Sequence, residues 1–167
     1  PMGKLFEFRL KIFQKDKPLV LSDVIPILES FGLTILRDRL FEVCKEDGAV
    51  SLNDFLMQLN EQKICNDPNV FDNFIAAFKL IWSSQAERDK FNELILTSGL
   101  NISQVVLIRA IAKYLRQIKF LFSQSYIESA CCASPHIILL LVRYFETKFR
   151  PNLSDEKRQA DLNTLEE

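Results

Sequence analysis

The feature that most constrains this chain is a change in hydrophobic period near Asn66. Apolar residues recur at every second position before it and at every third or fourth after it. Such a chain places a sheet first and helices second, which makes it α+β. In the first part Phe6, Phe8, Leu10 and Ile12 alternate with Glu7, Arg9 and Lys11, predicting a half-buried strand from Leu5 to Phe13. The polar stretch Gln14 to Pro18 breaks it. Ser22 then offers an N-cap to a short helix carrying Val24, Ile25, Leu28 and Phe31, with Gly32 as its stop. Leu33, Ile35, Phe41 and Val43 mark a second strand; its charged interruption, Arg37-Asp38-Arg39, suits a sheet edge or a twisted portion. Asp47-Gly48 is a turn signal, and a third strand follows from Ala49 to about Leu59. In it Val50, Leu52 and Leu56 alternate against Ser51, Asn53 and Phe55. Strand, helix, strand, strand is the opening of a split βαβ, ferredoxin-like unit.

Beyond Asn66 the boundaries are helix signals. Asp67-Pro68 reads as a cap and first helical residue for a stripe of Phe71, Phe74, Phe78 and Ile81, a helix that completes the βαββα order. Ser84-x-x-Glu87 reads as a capping box before Phe91, Leu94 and Ile95, with Gly99 closing that helix. Ser103 caps a third, in which Leu107, Ile111, Tyr114 and Ile118 share a face while Arg109, Lys113 and Arg116 point elsewhere. Ser123 starts a fourth and Ser134-Pro135 a fifth, which ends near Phe149 before Pro151. The expected organisation is a sheet module over 4–65, a helical domain over 66–150 and a charged tail over 151–167 that is frayed or a linker helix, with the domain boundary near Ile64 to Pro68. Pro1-Met2-Gly3 reads as an artificial junction.

Chemistry is sparse. With 21 Lys+Arg against 22 Asp+Glu the chain has none of the positive field that phosphate backbones require, so nucleic acid is not an expected partner. The run Ile137 to Val142 is far short of the roughly 20 apolar residues of a membrane span, and no membrane partner is expected. Cys44, Cys65, Cys131 and Cys132 follow no zinc-ribbon spacing and read as reduced thiols of a cytoplasmic protein. Gly3, Gly32, Gly48 and Gly99 are too dispersed for a phosphate-cradling loop. His136, the sole histidine, sits at a helix start with no nucleophile beside it, and the acid pair Glu46-Asp47 reads as solvated charge. No catalytic, cofactor-binding or metal-binding residue is therefore expected. Two groups remain as interface candidates. Arg109, Lys113, Arg116 and Lys119 form a cationic stripe, either a solvated face or a dock for an acidic partner. Phe120, Phe122, Tyr126 and Ile127 surround the Ser123 cap and pin a helix corner, with Gln117 and Gln124 flanking it.

The string Leu107 to Gln117, which includes Tyr114, and the string Phe122 to Glu128 resemble the helical region upstream of the catalytic domain in the very large bacterial NAD-specific glutamate dehydrogenases. Further resemblances follow in order at Pro18 to Glu29, Gly32 to Ile35, Arg37-Asp-Arg39, Asn53-Asp-Phe55, Phe91 to Leu94, Gly99-Leu100 and Phe145 to Phe149. The chain departs from the family pattern where His-Asp-Phe becomes Asn53-Asp54-Phe55 and Gly-Phe-Pro-Phe becomes Lys119-Phe120-Leu121-Phe122. The loss of Gly and Pro there implies a different turn before the next helix.

The resemblance implies an ACT-like module followed by an all-α bundle. It also implies a parent enzyme that oxidises L-glutamate with NAD to 2-oxoglutarate and ammonia, the catalytic and NAD-binding parts lying outside this chain. The chain itself is then an inactive regulatory and assembly segment. Its implied partners are the catalytic and other domains of the same parent chain, further copies in a homo-oligomer, and an amino-acid effector of the kind ACT modules take. The competing reading is a stand-alone ferredoxin-like adaptor for a peptide or amino-acid effector.

Overall fold

The computed structural model describes residues 5–15, 17–45, 48–60 and 65–166. The Pro1-Met2-Gly3 junction, the Glu46-Asp47 pair with the expected turn at Asp47, and the Ile64 end of the expected boundary lie outside the described residues. Three strands, β1 (Leu5–Lys15), β2 (Thr34–Lys45) and β3 (Gly48–Asn60), form an antiparallel sheet in the order β1-β3-β2. The charged β2 is thus an edge strand, as its Arg37-Asp38-Arg39 stretch suggests. Helices α1 (Leu21–Ser30) and α2 (Val70–Trp82) bury Val24, Ile27, Leu28, Phe74, Ala77 and Phe78 in one core shared with the sheet.

The sheet's buried face is not the one marked by the larger run of aliphatic residues. On β3 it carries Ser51, Asn53, Phe55, Met57 and Leu59, whereas Val50, Leu52 and Leu56 lie half-buried on the opposite face. A period of two separates the faces without saying which one the helices cover. The buried face is apolar from Phe55 to Leu59 and polar beyond. There Asn53 donates to both carboxylate oxygens of Asp38 at 3.1 Å, and Ser51 donates to the Lys17 carbonyl at 3.4 Å. A register shift between Ile35 and Arg37 adds a second inversion: Ile35 pairs with Met57 on the covered face, but Phe41 pairs with Leu52 on the open one.

Helix boundaries also differ from the sequence signals. Val20, not Ser22, is the N-cap of α1, and α2 is capped by Asn69, whose N–H donates to Asp67 Oδ1 at 2.7 Å in a turn that includes Pro68. Ser84 closes α2 instead of opening the next helix. It holds φ at 57°, with Ser84 N–H donating to the Ile81 carbonyl at 3.0 Å and Gln85 N–H to the Leu80 carbonyl at 2.8 Å, the paired bonds of a Schellman stop. Asp89 takes the capping role, its carboxylate accepting the Phe91 N–H at 3.1 Å before a 3-10 turn (Lys90–Asn92) that runs into α3 (Glu93–Ser98). Gly32 follows α1 with φ at 79°, and a Cβ there would stand 2.9 Å from Glu93 Cγ, so this crossing of the α1 exit over α3 requires glycine.

The remaining helices are α4 (Ile102–Gln117), α5 (Gln124–Ala133), α6 (Pro135–Phe149) and α7 (Asp155–Glu166). Asn101, not Ser103, caps α4, in a reciprocal capping box with Gln104. The charged tail is helical: α7 packs against α6, burying Leu162, and Arg158 donates to the carbonyls at the end of α6, including Thr147 at 3.4 Å. Tail residues thus satisfy helix-terminal carbonyls that would otherwise face water.

Candidate functional site

Two of the interface candidates on α4, Arg109 and Lys113, have opposite fates. Arg109 is only 3% exposed. Its guanidinium makes a bidentate pair with Asp89, including a 3.0 Å bond to Oδ1, and also donates to Asn92 Oδ1 at 3.2 Å and to the Glu87 carbonyl at 3.4 Å. It is a core residue tying α4 to the segment before α3, and it is not part of a cationic docking stripe. The helical period places it one turn from Lys113, but the acid that draws it inward, Asp89, lies 20 residues upstream. Asn92 is itself buried and donates to Ser30 Oγ at 3.2 Å, so the network reaches back to α1.

Lys113 is exposed and pairs with Glu87. The hydrogen bond from Lys113 is the main cause that holds the Glu87 carboxyl below its usual 4.5; partial burial opposes it, and the charges of Lys113 and Arg109 add to it. A carboxyl depressed on folding contributes stability above its unfolded pKa and loses it as pH falls through the folded value. Lys113→Ala is therefore expected to cost about 0.5 kcal/mol or less at pH 7, because both groups are exposed and screened, and progressively less as pH falls through the folded pKa of Glu87, in paired urea titrations.

The remaining candidates meet at the corner between α4 and α5. Arg116 donates to the Phe122 carbonyl at 3.2 Å, Ser123 Oγ accepts the Tyr126 N–H at 3.2 Å, and Gln124 donates to Glu128 at 3.1 Å, while Gln117 is exposed. Phe122 stacks on Tyr126 at 4.5 Å and meets Phe120 edge-on at 5.3 Å. These rings pack on one another yet remain outward-facing. Tyr114 and Ile118 extend the patch along α4, and Leu121 at its tip is 95% exposed. An apolar surface of this kind costs solubility unless something covers it.

The turn at this corner is a second Schellman stop. Lys119 holds φ at 60°, with its N–H donating to the Arg116 carbonyl at 3.1 Å and Phe120 N–H to the Leu115 carbonyl at 3.0 Å. Lysine thus adopts the left-handed conformation that a glycine takes without strain, at the position where the family pattern carries glycine. Lys119→Gly is expected to raise stability by about 0.5–1 kcal/mol, measured as a higher urea midpoint with an unchanged slope.

A further apolar stripe gave no signal in the reading by caps and motifs. Ile137, Leu141, Phe145 and Phe149 recur every four residues along α6 and are all exposed. Their spacing alone identifies them as one helix face, but nothing local distinguishes an uncovered face from a buried one.

His136 is exposed at the start of α6. Cys132 donates to the Lys90 carbonyl at 3.3 Å, and burial, aided by the charge of Glu93, pushes its thiol up to about 12, far from a reactive thiolate. Among the described residues, Gly32 and Gly99, at φ of 79° and 71°, each follow the end of a helix and do not form a glycine-rich loop leading into one. Among the described residues no cluster of His, Cys, Asp and Glu suits a metal ion, and no single helix is long and apolar enough to cross a membrane.

Comparison with known proteins places these features in context. Residues 3–70 match the family model described as glutamate dehydrogenase, ACT3 domain, and residues 86–151 the model described as glutamate dehydrogenase, helical motif 3. The chain is 37% identical over 157 residues to the NAD-specific glutamate dehydrogenase of Halomonas elongata, covering 94% of this chain and 10% of that protein. It is 41% identical over 160 residues to that of Mycobacterium tuberculosis (92% of this chain, 10% of the relative) and 36% identical over 172 residues to that of Pseudomonas aeruginosa (96% and 11%). The chain thus spans about a tenth of the length of the curated relatives it matches.

Proposed function

Because the chain belongs to the NAD-specific glutamate dehydrogenase family, carrying its ACT3 domain and helical motif 3, we propose that it is a non-catalytic regulatory and assembly segment of such an enzyme. The parent reaction is oxidation of L-glutamate by NAD to 2-oxoglutarate and ammonia, and NAD binds elsewhere in the parent. The observation that carries the assembly reading is the outward-facing aromatic corner of Phe120, Leu121, Phe122 and Tyr126, together with the uncovered α6 stripe. Two apolar patches on a segment of this size suit burial against other domains or subunits of the same enzyme, in a homo-oligomer. The ACT-like module supports a regulatory role through an amino-acid effector. The unpaired Cys65, Cys131 and Cys132 are in keeping with a cytoplasmic setting.

The assembly reading is tested in the full-length enzyme. Leu121→Asp combined with Tyr126→Ala is expected to weaken subunit or domain association, read as a lower mass by light scattering or as faster hydrogen exchange at α4 and α5. Unchanged mass and exchange would remove the corner from the interface. Titration calorimetry of the same enzyme with single amino acids tests regulation, and a flat response to all of them would leave only the assembly role.

A further inference from the structure

The helices α1 and α2 cover one face of the sheet, and we propose that the opposite face docks an acidic amphipathic helix of a partner protein segment. The helix lies along β3, with its apolar stripe on the sheet and its acids toward β1 and β2. This goes beyond the assembly reading above, which rests on helical surfaces and assigns no role to the sheet.

β3 is the central strand, and an antiparallel sheet with one face in water ordinarily carries polar residues on that face. Here the order is reversed. Ser51 and Asn53 lie on the covered side, while Val50, Leu52 and Leu56 form an apolar spine on the open one. Phe13 on β1 and Phe41 on β2 both pair with Leu52, widening the spine across all three strands, and they are 67% and 47% exposed. Two exposed rings in one row with a leucine make a surface that is stabilised by being covered.

The charges on this face are sorted to its two sides. Arg9, Lys11 and Lys15 flank the spine on β1, and Arg37 and Arg39 flank it on β2, all five exposed. Among the described residues the acids of the same face are Glu7 and Asp54, and Asp54 already lies 3.4 Å from Arg9. The face is therefore cationic on a chain whose formal charge is -1.

An apolar line with cations along both flanks is complementary to a helix whose apolar stripe has acids on both sides. The lengths agree. From Val50 to Leu56 the spine runs about 20 Å at roughly 3.4 Å per residue, the length of about 14 helical residues. The acidic helix of this chain, α7, buries Leu162 against α6, so the occupant is a separate segment. Single-stranded nucleic acid also brings negative charge and stacks on exposed rings. The aliphatic Leu52 between the two rings and the carboxylate of Asp54 within the spine favour the apolar side chains of a helix instead.

The test titrates the purified chain into a fluorescent helical peptide of about 16 residues, carrying a leucine stripe flanked by glutamates, with binding read by anisotropy. Glutamate and NAD are left out, so the result is independent of the regulatory and catalytic readings. Binding is expected, and replacing the glutamates of the peptide by glutamine, or raising salt from about 50 to about 300 mM, should weaken it at least about tenfold. Lys15→Glu combined with Arg37→Glu should do the same. These two exposed residues pair with Val50 and Leu56, so neither reversal faces Asp54, and an unchanged urea midpoint shows that the variant is folded. Phe13→Ser, which alters no charge, should also weaken binding and keeps the test decisive if the double variant is unstable. Tyr126→Ala, at the helical corner, should leave binding unchanged, which separates this surface from the one in the assembly reading. The inference is overturned by a chain that does not bind the acidic peptide, or by binding indifferent to the Lys15, Arg37 and Phe13 changes. Tighter binding of single-stranded oligouridylate than of the peptide would overturn it as well.

Discussion

Arg109→Ala is expected to destabilise the chain by about 3–5 kcal/mol, enough to unfold most of it at 37 °C if its stability is typical of a domain of this size. The guanidinium satisfies Asp89, Asn92 and the Glu87 carbonyl together, and removing it leaves the buried Asn92 amide oxygen without this donor and a largely buried Asp89 carboxylate that keeps the Phe91 N–H but loses its counter-charge. The cost is the uncompensated desolvation of those partners more than the lost ion-pair energy. Arg109→Lys should recover only part of it, because an ammonium cannot reproduce the fork that meets Asp89 through two nitrogens while also reaching Asn92. A double-mutant cycle with Asp89→Asn, read by urea unfolding, checks this: strict additivity would mean that the two residues do not act as a unit. An exposed arginine on a docking stripe would instead change stability by less than about 0.5 kcal/mol.

Phe74→Ala should cost a similar amount, about 3–5 kcal/mol. Phe74 is 2% exposed and stands edge-on to Phe31 at 4.8 Å and beside Phe78 at 6.3 Å. Phe31 closes α1 and Phe74 lies in the middle of α2, so this pair joins the two helices that cover the sheet. Truncation removes the dispersion contacts of a ring and opens a cavity in a tightly packed layer. Phe74→Leu retains much of the volume and should lose roughly half as much. Phe71→Ala, on the same helix but partly exposed against Phe6 and Phe8, should cost clearly less. Thermal and urea unfolding of the three variants orders them, and equal losses for Phe71 and Phe74 would contradict this account of the core.

Both residues stood out in the sequence, and only one was read correctly there. Phe74 belongs to a stripe whose helical spacing identifies it as core without knowledge of any partner. Arg109 sits at an equally regular spacing with Lys113 and Arg116, and arginine at such a position is most often solvated. Its partner Asp89 caps a short helix twenty residues upstream, and the segment between them folds back through the buried α3.

The sequence alone determined the α+β class, the strand-helix-strand-strand opening, the positions of α5 and α6 through Ser123 and Ser134-Pro135, and the family. These rest on local periodicity, on cap and stop residues, and on ordered motifs, all of which act within a few residues. Tertiary structure alone decided which face of β3 is buried, that the irregularity at Leu36 turns Phe41 to the open side, and that Arg109 lies in the core. It also decided that, among the described residues, nothing covers the aromatic corner or the α6 stripe. Each of these depends on what packs against an element from far along the chain. Amphipathic patterning marks a surface that must be covered, but the spatial order of the elements determines whether this chain covers it.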